Sequence, residues 1–303
     1  MNNITKKLTS IALAATISVS MAFSTSFVFA AQNDPENPVE FDWYTKISDT
    51  TISKIPDQTY TGSYKTPAIT ITYKGKKLVK DKDYKVTYKN NKYIGTASAV
   101  ITGMKDYTGT KTVTFKIVPK TVTGLKSTST TSSISLSWSK TTSATGYEVY
   151  RATSKSGSYT KMKTTTSTSY KNTSLSSAKT YYYKVRAYKT VNGKKYYGKY
   201  SSIVAGATTP SKPTITVTSP STKTVKVTWK KITGASGYEV YRKTGSSGTY
   251  TRVKTVTSGS TLSYTNKSLT KGKTYYYKVR AYKNVDGKKL YSSYSTAKYV
   301  KCR

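Results

Sequence analysis

Apolar and polar side chains alternate with a period of two along most of this chain, which is the pattern of half-buried β-strands. Ile134, Leu136 and Trp138 would share one face of a strand, and every second residue from Tyr181 to Ala187 is apolar or aromatic. Runs of Ser, Thr and Gly separate these segments, and no window has a convincing helical period. An alternating face must be buried against a second sheet, so the pattern predicts an all-β chain built from sandwiches.

The second half of the chain is duplicated. The segment Gly146–Arg151 recurs as Gly237–Arg242 after an offset of 91 residues, and Lys179–Lys189 recurs without change as Lys273–Lys283. A unit of roughly 90 residues is too long for a solenoid repeat and has the size of a β-sandwich domain. We therefore expect two copies of one domain.

Each copy resembles the fibronectin type III family. A Trp in the second strand is followed by Gly-Tyr-x-Val, and then by a Leu that precedes Tyr-x-Tyr-x-Val-x-Ala. Leu175 with Tyr181, and Leu269 with Tyr275, match the tyrosine corner of that family, in which a Tyr hydroxyl ties the strand to the preceding loop. The family's usual Pro-Gly before the corner is missing, and neither copy has Arg-Gly-Asp, so integrin binding of that type is not supported.

Residues 45–118 form a different module. Alternation is clear over Ile69–Tyr73, Tyr84–Tyr88 and Val113–Ile117, between turn-rich segments. These motifs resemble the short immunoglobulin-like modules of secreted and wall-associated proteins of Gram-positive bacteria. The resemblance implies a further antiparallel β-sandwich.

The N-terminus has the pattern of a secretory signal peptide. Lys6 and Lys7 precede a mostly apolar run, and the small residue Ala30 fits a cleavage site. No second apolar span follows, so we expect a mature chain without a transmembrane anchor, secreted or held outside the cell by non-covalent contacts; an uncleaved anchor is the alternative. The predicted order is a signal peptide (1–30), an acidic flexible lead (31–44), an immunoglobulin-like module (45–118) and two fibronectin type III-like domains (119–209 and 210–303), which makes three antiparallel β-sandwich modules in a row.

The chain is strongly basic. Lys and Arg number 51 against 12 Asp and Glu, for a formal net charge of +39. The net charge rises from +9 in residues 45–118 to +14 in 119–209 and +18 in 210–303. Solubility of a small domain needs a net charge of only about 2–8, so the excess favours a polyanionic partner.

The composition argues against catalysis and metal binding. The chain has no His and a single Cys, Cys302, so it lacks the commonest general base and cannot form an intrachain disulfide. Cys302 would either stay free or link two molecules. Glu148 and Glu239 should form cross-strand ion pairs with basic residues of the neighbouring strand, and lysines adjoin the three turn aspartates that could be considered for calcium, Asp81, Asp83 and Asp106. We expect no enzyme activity, no cofactor and no metal.

The remaining candidate chemistry lies on the outer sheet faces. Aromatic rings can stack on sugars, and cations can pair with carboxylates, phosphates or sulfates. The outward positions of the repeated strands and their hairpin edges give a candidate ligand-binding set of Tyr150, Tyr182, Lys184, Arg186, Tyr188, Lys194 and Lys195 in the first copy and Tyr241, Tyr276, Lys278, Arg280, Tyr282, Lys288 and Lys289 in the second. The alternative is that these residues only keep exposed strands soluble and unpaired.

The sequence thus predicts a secreted, non-catalytic binding or spacer protein that associates with anionic cell-wall polymers or glycans. A structural or adhesion module with a protein partner, such as a separate secreted enzyme, is the alternative. Specific nucleic-acid binding is not expected, because no recognition helix or groove-reading motif is present.

Overall fold

The computed structural model describes residues 44–303 and, before them, only the backbone of two short strands, β1 (Val28–Phe29) and β2 (Val39–Glu40), which pair antiparallel. Apart from these two strands, the predicted signal peptide and the acidic lead up to residue 43 lie outside the described residues. From residue 44 onward the regular structure is β-strand, apart from one 3-10 turn at Ile47–Asp49. No described segment forms a helix long and apolar enough to cross a lipid bilayer.

Nine further strands lie between residue 45 and the duplicated half. They are β3 (Thr45–Lys46), β4 (Thr51–Ile52), β5 (Gln58–Thr59), β6 (Ile71–Tyr73), β7 (Lys76–Lys77), β8 (Tyr84–Lys89), β9 (Gly95–Gly103), β10 (Tyr107–Thr108) and β11 (Thr110–Val118). They form a four-stranded sheet in the order β5-β11-β9-β8, a three-stranded sheet β4-β6-β7 and a two-stranded sheet β10-β3. The pairs β10–β3 and β11–β5 are parallel, whereas β4–β6 and β6–β7 are antiparallel.

The chain divides into two compact units. One comprises the described residues up to Ile52 with Thr70–Val86 and Val100–Lys111, and the other comprises Ser53–Ile69, Thr87–Ala99 and Thr112–Arg303. In the first unit Ile47, Ile71 and Ile101 are fully buried, and the second unit contains the duplicated half. The boundaries that the sequence places at residues 118/119 and 209/210 stay predictions.

Both repeats contain eight strands. Those of the first are β12 (Lys126–Ser129), β13 (Ile134–Ser137), β14 (Gly146–Ala152), β15 (Thr160–Thr165), β16 (Ser169–Asn172), β17 (Thr180–Val191), β18 (Lys194–Tyr197) and β19 (Val204–Ala207). Those of the second are β20 (Ile215–Thr218), β21 (Val225–Trp229), β22 (Gly237–Thr244), β23 (Thr251–Val256), β24 (Ser263–Asn266), β25 (Thr274–Val285), β26 (Lys288–Tyr291) and β27 (Lys298–Lys301).

The two repeats have the same topology. Each has a three-stranded sheet, β12-β13-β16 or β20-β21-β24, and a five-stranded sheet, β15-β14-β17-β18 with β19 on β17, or β23-β22-β25-β26 with β27 on β25. Neighbouring strands in all four sheets are antiparallel. The all-β prediction is confirmed, and in each repeat residues of both sheets share one hydrophobic core, as in a β-sandwich.

The register of the long strand β17 agrees with the sequence pattern. Tyr183, Val185 and Ala187 are completely buried, while the residues between them are partly exposed. The core of each repeat also contains its Trp; the ring of Trp138 lies 5.4 Å from that of Tyr147 in an edge-to-face contact. This arrangement leaves the alternate residues of β17 for the outer face.

Hydrogen bonds also organise the interior of the repeats. In the second repeat the backbone N–H of Thr270 donates to the Tyr275 hydroxyl at 3.0 Å, which is the bond predicted for a tyrosine corner. Deeper inside, Asn266 Nδ2 donates to the Tyr277 hydroxyl at 3.0 Å. Burial raises the pKa of Tyr277 from 10.0 to about 12, although the bond from Asn266 acts in the opposite direction.

Candidate functional site

The candidate face is the outer side of each five-stranded sheet. In both repeats, the pairing of neighbouring strands places one acidic residue opposite an arginine and one tyrosine opposite a lysine. The opposed pairs are Glu148–Arg186 and Tyr150–Lys184 in the first repeat, and Glu239–Arg280 and Tyr241–Lys278 in the second. The structure therefore brings the central predicted residues together on one face.

A buried carboxylate lies at the centre of the face in the first repeat. Glu148 is 1% exposed, and its Oε2 accepts hydrogen bonds from Arg186 Nη2 at 2.7 Å and Nε at 3.0 Å. The Tyr150 hydroxyl donates to the same oxygen at 2.8 Å, and Lys161 Nζ lies 3.2 Å from Oε1. The predicted ion pair is confirmed, but the carboxylate is enclosed by its partners and is not open to solvent.

The second repeat encloses its carboxylate more completely. Glu239 is fully buried, and five side chains donate to it at distances of 2.7–3.4 Å. These donors are Arg280 through two nitrogens, Tyr241, Arg252, Lys289 and Tyr291. One negative charge is therefore surrounded by three cationic groups, which leaves a net positive surface around it.

The hydrogen bonds keep both carboxylates ionised. Burial opposes the ionisation of Glu239, but the bonds from Arg280 and Tyr241 outweigh it and lower the pKa from 4.5 to about 2. The same balance, with Arg186 as the main donor, lowers the pKa of Glu148. A carboxyl group in this state cannot act as a general acid near neutral pH.

Tyrosine rings hold the cations of the face. The Lys184 ammonium lies 4.3 Å from the centroid of the Tyr159 ring and 4.2 Å from that of Tyr200, and the Arg186 guanidinium lies 3.9 Å from that of Tyr197. In the second repeat Lys278 lies between Tyr250 and Tyr294 at 4.3 and 4.0 Å, and Arg280 lies 3.7 Å from Tyr291. A ligand for these cations would share them with their own aromatic partners.

Two predicted site residues are not accessible. Tyr188 is 7% exposed and Tyr282 is 2% exposed, so the expectation that they lie open on the outer face is wrong. The residue opposite each ring is a glycine, Gly146 or Gly237. The ring covers the glycine backbone: a Cβ at Gly146 would lie 2.7 Å from the Tyr188 hydroxyl oxygen. This packing removes both tyrosines from the candidate surface.

The hairpin lysines lie at the edge of the face. Lys194, Lys195, Lys288 and Lys289 are exposed. The ammonium groups of Lys195 and Lys289 lie 4.5 and 4.3 Å from the ring centroids of Tyr188 and Tyr282. Tyr182 and Tyr276 lie further along the long strands, where both are partly exposed.

Sequence reasoning missed several members of these clusters. The rings of Tyr159 and Tyr200, which contact Lys184, lie outside the strands that carry the predicted site residues. The sequence does contain a signal for them, because both recur in the second copy. Tyr159 recurs as Tyr250 and Tyr200 as Tyr294, each at the same offset as the strand next to it. Contact partners that recur in a duplicated domain can thus be searched for by offset alone.

The other candidate groups have structural partners. Asp83 Oδ2 accepts the backbone N–H of Val79 at 2.7 Å, and Asp81 lies 3.8 Å from Lys80. Over residues 44–303 the acidic side chains form no cluster of three that could hold a metal. Cys302 is 2% exposed within the core of the second repeat, so a disulfide between two folded copies would require this segment to leave the core.

Comparison with known proteins gives partial similarities. No protein-family model matches the chain. Over 191 residues, 58% of the chain, it is 33% identical to exoglucanase B of Cellulomonas fimi, but the match spans only 16% of that protein's length. A two-domain fibronectin type III segment of chicken tenascin is 22% identical, with a TM-score of 0.42 over 61% of this chain and 99% of the segment.

Proposed function

We propose that this protein is a secreted, non-catalytic binding and spacer protein whose fibronectin type III-like repeats associate with anionic cell-wall polymers or glycans. The observation that carries the proposal is the enclosure of Glu148 and Glu239 beneath cationic and tyrosine side chains. Each five-stranded sheet thereby presents positive charge and aromatic rings, without an open carboxylate at its centre. A polymer with repeated negative charges and sugar rings complements such a surface.

Two further observations support this function. The repeats carry net charges of +14 and +18, beyond the requirement for solubility. The chain is also similar to a small part of a protein named an exoglucanase, which suggests a setting in which polysaccharides are handled. The lowered pKa values of the two buried glutamates support a role other than acid–base catalysis.

Retention of the full chain on isolated cell walls tests the proposal. Because exposed charges are screened within about 10 Å at 0.1 M salt, retention should fall steeply between low and high salt. Equal retention at both salt concentrations would contradict the proposal and would favour a protein partner instead.

A charge-matched pair of variants locates the contact. Replacing the hairpin lysines Lys194, Lys195 and Lys288 with Gln should weaken retention, because these lysines are exposed at the edges of the five-stranded sheets. The control replaces exposed lysines of the three-stranded sheets, namely Lys126, Lys171 and Lys226. Equal losses in both variants would show that net charge, and not this face, determines binding.

A further inference from the structure

The two repeats differ at one row of their otherwise similar outer faces. In the second repeat, Tyr276 of β25 lies directly opposite Lys243 of β22 on one side and Tyr299 of β27 on the other. The first repeat has Tyr182 at the corresponding place, between Ala152 and Ala205. At this row, therefore, only the second copy has an aromatic pair beside a lysine.

The row in the second repeat forms a continuous surface. The ring centroids of Tyr276 and Tyr299 are 5.1 Å apart with an interplanar angle of 37°, and Tyr299 is 67% exposed. The Lys243 ammonium lies 5.0 Å from the Tyr276 centroid and 5.3 Å from that of Tyr250, and it donates to the carbonyl of Ser246. A ring bound over the tyrosine pair would have a positioned cation at its side.

The row also lacks a nearby open acidic group. Val300 packs against the core, so the alternating side chains of Tyr299 and Lys301 face outward, and Lys301 is exposed. The second repeat has two acidic residues, of which Glu239 is fully buried and ion-paired. The other, Asp286, lies in the hairpin beyond the opposite end of β25. The charge around the tyrosine pair is therefore suited to an anion.

We propose that Lys243, Tyr276 and Tyr299 form a subsite for an acidic polysaccharide, in which a sugar ring stacks on the tyrosine pair and its acid group pairs with Lys243. This inference rests on the proposed function and narrows it to one repeat and one ligand chemistry. Stacking on an aromatic face and a charge-assisted bond act on different parts of the same sugar. The ligand must therefore contain both sugar rings and negatively charged groups.

The test uses the full chain and three immobilised probes: a polyuronate, its methyl-esterified form and inorganic polyphosphate, which has charge but no rings. The variant Lys243→Ala/Tyr299→Ala gives the second repeat the row of the first. We expect it to bind the polyuronate about tenfold more weakly, because it lacks one stacked ring and one ion pair. Its binding to polyphosphate should be nearly as strong as that of a control variant that loses one tyrosine and one lysine elsewhere. Wild-type binding should also be weaker to the methyl ester than to the free acid.

The matched control, Tyr64→Ala/Lys82→Ala, removes one exposed tyrosine and one exposed lysine from a different module. The reciprocal variant, Ala152→Lys/Ala205→Tyr, gives the first repeat the row of the second and should raise polyuronate affinity several-fold, a gain that damaged folding cannot produce.

Two results would overturn the subsite. In the first, the control variant loses as much polyuronate affinity as the Lys243/Tyr299 variant does. In the second, the Lys243/Tyr299 variant loses as much affinity for polyphosphate as for the polyuronate. If the wild type binds the polyuronate and the Lys243/Tyr299 variant binds it equally well, the subsite falls while the proposed function stands. If the wild type binds none of the polymers, both fall.

Discussion

Replacing Glu239 with Gln tests the electrostatic account of the outer face most directly. The substitution keeps the size of the side chain but removes the charge that Arg280, Arg252 and Lys289 share. The glutamine amide keeps only one acceptor oxygen. Its N–H₂ group would face donors that, in the wild type, bond to the second carboxylate oxygen. Because Glu239 is fully buried, solvent cannot replace the lost interaction.

The expected cost follows from two independent arguments. A shift of the pKa from 4.5 to about 2 means that the folded protein favours the ionised form by about 3 kcal/mol, at about 1.4 kcal/mol per unit. Removing one partner of a buried ion pair costs about 3–5 kcal/mol in general. We therefore expect Glu239→Gln to lower the free energy of unfolding of the second repeat by about 3 kcal/mol at pH 7.

The pH dependence gives the variant a second signature. The folded pKa lies below the unfolded value, so the stabilisation by Glu239 is complete above about pH 4.5, declines as the pH falls toward 2 and is lost below that. The glutamine variant lacks this titration. Its stability should differ most from that of the wild type at neutral pH, and the two should converge near pH 2.

Urea titrations of the full chain at pH 7, 4 and 2 can measure these differences. With 5-fluorotryptophan incorporated, the separate ¹⁹F signals of Trp138 and Trp229 report on the first and second repeats. The control Glu148→Gln should affect the Trp138 signal, and by less, because fewer donors surround that carboxylate. A loss below about 1 kcal/mol at pH 7, or an equal loss at pH 7 and pH 2, would refute the reasoning.

Two substitutions and one labelling experiment test the packing of the interior. Tyr277→Phe leaves Nδ2 of Asn266 without its acceptor and should cost about 1–3 kcal/mol. Burial raises the folded pKa of Tyr277 from 10.0 to about 12, so its contribution to stability is complete below pH 10 and is lost between pH 10 and 12. Tyr183 titrates in the same range, so urea titrations of the variant should show a smaller loss over this range than those of the wild type. Gly146→Ala forces a methyl group against Tyr188 and should lower the free energy of unfolding by about 1–3 kcal/mol. In a double-mutant cycle, Tyr188→Ala in the same chain should remove part of this cost, because the added methyl group no longer meets the ring. Cys302 should react with a thiol reagent slowly in native buffer and rapidly in urea, and rapid native reaction would contradict its burial.

Local sequence pattern was sufficient for the strands and for the inward-facing residues of β17. Alternation with a period of two is a property of neighbouring residues, so Tyr183 and Val185 could be assigned to the core without knowledge of the partner strands. The pairing of Glu148 with Arg186 was also predictable, because the repeats contain few acidic residues and the strands that carry them adjoin basic ones. The duplication itself was visible in the sequence and required no coordinates.

Tertiary structure decided which side chains on that outer face remain free to bind. Tyr188 is buried because the antiparallel register of β14 and β17 sets it opposite Gly146, and that register is a property of the paired strands. The partners of Lys184 are likewise far apart in sequence, at Tyr159 and Tyr200. Alternation along one strand specifies the direction of a side chain, whereas accessibility depends on neighbours that only the folded sheet brings together.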